Sequence, residues 1–384
     1  MKNETFIATG GAGFIGTNFV KMMTREHPQA RIVVLDSLTY SGNIKSLASE
    51  IEKGDIVFVK GDIGDKELVT KLLDEYKPEY IINFAAESHV DRSLVDSRPF
   101  VRTNVEGTLN LLDCALAQRR HQLSEGKALS LRKFVQISTD EVYGQLPIDY
   151  PDSAPLPAGV VAKLGRHDGC ITYGSEAFRE SSPLKPSSPY SASKTSADLL
   201  AMAYHHSFGL PVTITRCSNN YGPYQHPEKL IPLMINNILE RKPLPVYGQG
   251  LNVRDWIYVE DHARGILMAA VNGRDGEIYN FGGYSERRNI DIVRTLIGLV
   301  AEAVPDNKGM DESLIEYVGD RPGHDSRYAI DAEKSMEELG WRPEVPFDKG
   351  LRDTVDWYIS NRAWLDDIVS GDYRDYYDRM YANR

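Results

Sequence analysis

Phe6-Ile7-Ala8-Thr9-Gly10-Gly11-Ala12-Gly13-Phe14-Ile15-Gly16 is an apolar run that breaks at spaced glycines and resumes as a helical pattern. Glycine lets a strand turn sharply into a helix. It also leaves backbone N–H groups bare at the helix N-terminus, where a pyrophosphate is favoured. Gly10, Gly13 and Gly16 therefore predict a dinucleotide cradle, with Phe14 and Ile15 opening the helix beside it. Asp36 ends the next apolar run. A carboxylate there accepts hydrogen bonds from both ribose hydroxyls and repels a 2′-phosphate, so NAD is expected rather than NADP. A plain turn residue is the alternative for Asp36. Ser37, Leu38 and Thr39 continue into the same turn and are expected to contact the cofactor.

Outward from this stretch, short β-branched runs alternate with amphipathic ones. Strands are expected at 6–9, 32–35, 56–59, 80–84, 134–137 and 212–215, and helices at 15–24, 66–75 and 103–117. Nearly continuous apolar strands separated by helices imply an α/β fold, a Rossmann-type doubly wound parallel sheet covered on both faces. Residues 1–210 form the expected dinucleotide-binding domain. Residues 211–384 form a smaller C-terminal lobe interleaved with it. Residues 145–189 are rich in Pro, Ser and Gly, and read as a long insertion, either a surface excursion or a flap.

Composition excludes several classes. The chain has 384 residues, three widely spaced cysteines and a net charge of −11. Acidity argues against nucleic-acid binding, and no apolar run is long enough to span a membrane. Cys114, Cys170 and Cys217 read as reduced thiols, with a cytoplasmic location. His89, His205, His206 and His226 invite a metal reading. No metal-ligand spacing accompanies them, and no metal is expected. Arg287-Arg288 reads as a phosphate clamp or a solvated turn, with the turn favoured.

Tyr190-Ser-Ala-Ser-Lys194 puts a phenol and an ammonium on one helix face. A free tyrosine is no base near neutrality. Bringing its pKa from about 10 to about 7 takes about 4 kcal/mol, roughly what one cation at about 4 Å supplies at an effective dielectric of 20. Ser138-Thr139-Asp140-Glu141-Val142-Tyr143-Gly144 lies between the two words. Its adjacent carboxyls push each other's apparent pKa values apart, leaving one acid and one base. They share a site only if the chain leaves strand geometry there.

With its GxxGxxG, YxxxK and Thr-Asp-Glu words, the chain resembles the extended short-chain dehydrogenase/reductase family, nucleotide-sugar dehydratase branch. Ala85-Ala86-Glu87-Ser88-His89-Val90-Asp91-Arg92-Ser93, Ser218-Asn219-Asn220-Tyr221-Gly222-Pro223, Arg254-Asp255-Trp256 and Asp320-Arg321-Pro322-Gly323-His324-Asp325 carry the resemblance along the chain, as does the tail from Ser370. It implies that Tyr190, with Lys194, takes a sugar hydroxyl proton during hydride transfer. Thr139 orients that hydroxyl, Glu141 removes the C5 proton, and Asp140 protonates the departing C6 hydroxyl. It further implies that Asp62, Ile63, Phe84, Ala85, Ala86, Thr103 and Asn220 contact the cofactor. Ser88, Asn219, Lys229, Leu230, Pro245, Tyr247, Arg254, Asn289, Arg321 and His324, with Thr139, would hold a nucleotide sugar. A homodimer through helices near 103–117 and 190–208 is also implied. An epimerase or decarboxylase of the same superfamily leaves Asp140 unused. A non-catalytic NAD-binding scaffold leaves the whole set unused.

Overall fold

The computed structural model describes residues 3–166 and 169–369. The tail words from Ser370 onward lie outside the described residues. Seven parallel strands form the main sheet, in the spatial order Glu277–Phe281, Val212–Cys217, Lys133–Thr139, Tyr80–Asn83, Thr5–Thr9, Arg31–Asp36, Ile56–Lys60. Strand order reverses beside Thr5–Thr9, which pairs with both Arg31–Asp36 and Tyr80–Asn83. Such a switch point opens a crevice at the carboxyl ends of the strands.

Successive residues of each strand face opposite layers. Phe6 and Ala8 pack with Phe19, Ala263 and Ile266, from the helices Phe14–Glu26 and Val259–Asn272. Ile7 packs on the other face with Leu72, Leu111 and Ala201, from the helices Lys66–Tyr76, Thr108–Ser124 and Pro189–Phe208. Two faces buried along the same strands explain their continuous apolar runs.

The C-terminal part builds its own core from the helices Leu230–Leu239, Asn289–Ala303 and Phe347–Ser360, centred on Leu233, Leu296 and Leu351. Its strand Val253–Tyr258 lies between Asn219–Tyr221 and Glu286–Arg288. The chain nevertheless returns to the main sheet at Glu277–Phe281. Arg287-Arg288 is therefore not a solvated turn. It lies in a strand paired with Val253-Arg254, and Arg287 packs over the Phe347 ring.

Two further departures bear on the site. The helix expected at 103–117 opens with a wide π-type turn, Val101–Gly107, before continuing as Thr108–Ser124. Such turns are frequent at functional sites. Here Asn104 exchanges hydrogen bonds with the Glu87 backbone, at 2.8 and 3.0 Å, and donates to Ser193 Oγ at 2.8 Å.

The insertion 145–189 contains a short helix, Ala158–Leu164, and a small antiparallel pair, Ala154-Pro155 with Ile171-Thr172. Its Leu164 and Cys170 join the core around Trp341. A buried fork anchors it: Arg327 donates to both oxygens of Glu286, at 2.7 and 2.8 Å, and to Thr172 Oγ1 at 3.1 Å.

Candidate active site

The crevice at the switch point is a cavity of about 280 Å³. Gly10, Gly13 and Gly16 form its floor with Phe14 and Ile15. Gly10 has φ +66°, and a Cβ there would lie 2.6 Å from the Ala85 backbone. One at Gly16 would lie 2.5 Å from the Gly10 carbonyl oxygen. No side chain caps the helix at Gly13. The cradle is thus bare backbone at a helix N-terminus, which fits a pyrophosphate.

Asp36 lines the far end. Its carboxylate accepts the Ala12 N–H at 2.9 Å and the Leu38 N–H at 2.8 Å. Burial raises its pKa, and the two backbone bonds oppose that rise. Ser37, Thr39, Asp62 and Ile63 line the same end. Leu38 does not. It takes a left-handed turn, φ 53°, and its side chain packs against the sheet core, so only its backbone serves the site. Phe84, Ala85, Ala86, Thr103 and Asn220 line the middle of the cavity. These walls fit a dinucleotide with unphosphorylated ribose.

At the other end the strand Lys133–Thr139 runs into a 3₁₀ turn, Asp140–Tyr143. The turn lets both adjacent carboxyls line the cavity, as do Thr139, Tyr190 and Lys194. The helix bearing the last two starts at a capping box, with Ser188 and Ser191 bonded reciprocally and Pro189 following. Lys194 Nζ donates to the Ile137 carbonyl at 2.6 Å.

Charge separates the two carboxyls. Burial pushes Asp140 well above the ordinary carboxylate range, and Glu141 and Asp255 push it further. Thr139 Oγ1 donates to one Asp140 oxygen at 3.2 Å; the other is buried without a partner. Burial also raises Glu141, but Arg321, Lys229 and Arg254 pull it back. Both carboxyls are thus raised, Asp140 more strongly and Glu141 against three opposing cations, so Asp140 is the one biased further toward its protonated form. Burial, with Glu141 nearby, raises the Tyr190 phenol, while the Thr139 hydroxyl works the other way; this is opposite to the lowering expected from Lys194, whose ammonium bonds the Ile137 carbonyl instead.

The expected nucleotide-sugar residues divide. Ser88, Asn219 and Lys229 line the cavity, and Lys229 Nζ donates to the Ser88 carbonyl at 2.8 Å. Arg254, Tyr247, Arg321, His324 and Asn289 lie beyond it. Arg254 donates to the Asp325 carbonyl at 2.9 Å and lies over the Tyr328 ring. His324 bonds Asp320 at 2.6 Å. Arg321 and Tyr247 both donate to Asp91. Among the described residues, Asn219 Oδ1, Asn289 Oδ1 and Arg321 Nε are buried without partners, as donors and acceptors awaiting a polar ligand are. Leu230 and Pro245 turn to the C-terminal lobe: Leu230 starts a helix packed on its core, and Pro245 lies buried in the strand Leu244–Tyr247.

Sequence reasoning did not single out Glu228 or Asp91. Glu228 lines the cavity, accepts from Arg92 Nε at 3.2 Å, and is pushed up to about 7 by burial. Its position beside Lys229 was the available signal. Asp91 is legible only once its partners are in place.

The NAD dependent epimerase/dehydratase family model matches residues 7–282, and this chain belongs to that family. Its curated relatives include the dTDP-glucose 4,6-dehydratase of Xanthomonas campestris pv. campestris, 48% identical over 96% of this chain and 97% of the relative. They also include dTDP-glucose 4,6-dehydratase 1 of Escherichia coli, 45% identical over 98% and 99%. Among solved structures, the dTDP-glucose 4,6-dehydratase of Bacillus anthracis in complex with NAD superposes with a TM-score of 0.79. It is 42% identical, over 95% of this chain and 99% of that one. The Streptomyces venezuelae enzyme of the same name, with NAD and dTDP bound, gives 0.80 at 42% identity and the same coverage.

Proposed function

We propose that this chain is an NAD-dependent dTDP-glucose 4,6-dehydratase, converting dTDP-glucose to dTDP-4-keto-6-deoxyglucose and water. The observation that carries this reading is the Asp140–Glu141 turn opening into the same cavity as Tyr190 and Lys194. An epimerase has no use for an acid at that point. Near-full-length relatives at 45–48% identity carry the same activity in their names.

NAD held along the glycine cradle would supply the hydride chemistry, accepting a hydride from C4 of the sugar when oxidised and returning it to C6 when reduced. Tyr190 takes the C4 hydroxyl proton, with Lys194 as the protein's own cation on the same helix face. Thr139 orients the hydroxyl. The C4 ketone acidifies the C5 proton, which Glu141 removes as a carboxylate. Asp140, held protonated, gives its proton to the C6 hydroxyl as it leaves as water. A proton then returns to C5.

Arg254, Arg321, His324 and Asn289 serve the nucleotide and its diphosphate, and Lys229, Asn219 and Ser88 the sugar end. Residues 1–210 act mainly as the cofactor domain and 211–384 as the substrate lobe. The product feeds dTDP-rhamnose and other deoxysugar synthesis in the cytoplasm. Among the described residues no helix is long and apolar enough to cross a membrane. The active form is a homodimer: Val101, Leu123, Leu199 and Phe208 lie exposed on the two helices expected to pair.

The test is turnover of dTDP-glucose deuterated at C4, read by mass spectrometry. Loss of one water with deuterium at C6 is expected. A C4 epimer of unchanged mass overturns the reading.

A further inference from the structure

Beneath the cavity lies a charge the reaction scheme does not use. Asp198 stands one helical turn after Lys194 and is fully buried. Its Oδ2 accepts from Ser138 Oγ and from Arg216 Nε, each at 2.9 Å. Its Oδ1 has no hydrogen-bond partner among the described residues. Lys194 bonds the carbonyl of Ile137, the residue before Ser138, so one strand fixes both ends of the arrangement. Arg216 is itself buried, over the Tyr143 ring. Two buried cations thus flank one buried carboxylate. Without it the two buried cations would keep only the Ile137 carbonyl and the Tyr143 ring as partners, with no countercharge, a costly state.

We propose that Asp198 is a positioning residue for the hydride step, holding the Lys194 ammonium at the cavity floor by balancing it against Arg216. The proposal rests on Tyr190 being the proton acceptor. The groups that bear on Lys194 are Asp198 on its own helix, the Ile137 carbonyl, and Cys217 on the strand Val212–Cys217; Tyr190, Ser138, Asp140 and Glu141 line the same cavity, and Arg216 is linked to it through Asp198. Burial lowers the Lys194 pKa, and Asp198 and Cys217 raise it. The Cys217 thiol is itself pushed far up by burial; burial raises Asp198 too, but Arg216, Lys194 and the Ser138 hydroxyl all pull it back toward the carboxylate.

The test is the titration of Lys194 by NMR of lysine labelled at the ε-carbon, its signal identified by loss in Lys194→Arg. In Asp198→Asn the midpoint falls by about one pH unit or more, since the balancing charge is gone. In Arg216→Gln it rises, since Asp198 then faces Lys194 alone. A purely structural role gives no such reversal of sign. If either variant unfolds, the other still reports its direction. Midpoints within error of the native value in the variants that fold overturn the proposal.

The same shift appears in enzyme loaded with NAD and mixed with dTDP-glucose, where the alkaline limb of cofactor reduction moves to lower pH in Asp198→Asn. Near that limb the step is about tenfold slower. The titration needs no substrate, so it stands or falls separately from the dehydratase reading.

Discussion

Arg321 and Asp91, 230 residues apart in sequence, form an ion pair of 3.0 Å at the seam between the main sheet and the C-terminal lobe. Tyr247 donates to the other Asp91 oxygen at 2.9 Å. Arg321 also acts on Glu141, holding it toward the carboxylate form. Asp91 therefore sets where Arg321, the cation proposed to bind the nucleotide, sits and how strongly it bears on Glu141, the proposed base. Asp91→Ala should raise KM for dTDP-glucose about tenfold, about 1.4 kcal/mol, with a smaller effect on kcat. Steady-state kinetics decide this; an unchanged KM removes Asp91 from the binding assembly.

Asp140→Asn keeps the shape of the side chain and removes its transferable proton. Elimination should slow by about 10²–10⁴-fold while the first oxidation proceeds. Reduced cofactor should then accumulate on the enzyme and be visible in its absorbance after rapid mixing. Loss of that first signal would mean that Asp140 is not the acid.

Tyr190→Phe removes only a hydroxyl. Cofactor reduction on mixing with substrate should fall by about 10²–10⁴-fold, and calorimetry should show nucleotide-sugar affinity within a few-fold of native. Affinity lost with the reduction rate intact would contradict the role given to Tyr190.

His262 is fully buried, bonds Asn220 Oδ1 at 2.9 Å, and has its pKa lowered to about 3 by burial. The unfolded chain protonates this imidazole below about 6.5, whereas the folded chain keeps it neutral. Its contribution to stability is present above that pH and is lost as pH falls toward about 3. His262→Gln should therefore lose less stability than the native protein between neutral pH and pH about 5, by up to about 1.4 kcal/mol per pH unit. Urea unfolding across that range measures it. Glu228 and Asp255, raised by burial to about 7 and about 6, act in the opposite sense in both proteins and cancel in the difference.

Much of the cofactor half was legible because its chemistry lives in local words. A strand-to-helix turn needs Gly10, Gly13 and Gly16 at fixed spacing, and a phenol-ammonium face needs Tyr190 and Lys194 four apart. The same locality carried Asp140 and Glu141, since their usefulness depends on a turn directly after a strand. The substrate half was harder to read. Asp91 meets Arg321 and Tyr247 only through tertiary packing, and neither has a sequence neighbour that predicts the other. Arg287-Arg288 looked like a turn because charge usually marks solvent, yet Arg287 lies over Phe347 within a strand. The π-type turn at Val101–Gly107 escaped because one widened turn barely disturbs a helical apolar pattern. Leu38 was assigned by its position beside Asp36, but its left-handed backbone sends the side chain to the core.

The Arg327–Glu286–Thr172 fork ties the insertion 145–189 to the C-terminal lobe, and none of its described residues lines the cavity. The stretch between the two catalytic words stays outside the cavity yet braces the turn of Asp140 and Glu141: Phe178 stacks on Tyr143, and the Lys185 N–H donates to the Val142 carbonyl. Its outer edge, Asp152, Ser153, Ala158 and Gly159, faces solvent. A reporter domain or affinity tag spliced between Asp152 and Ser153, outside the helix Ala158–Leu164, should ride there without slowing turnover, which makes this edge the natural port for engineering the enzyme into multi-enzyme assemblies.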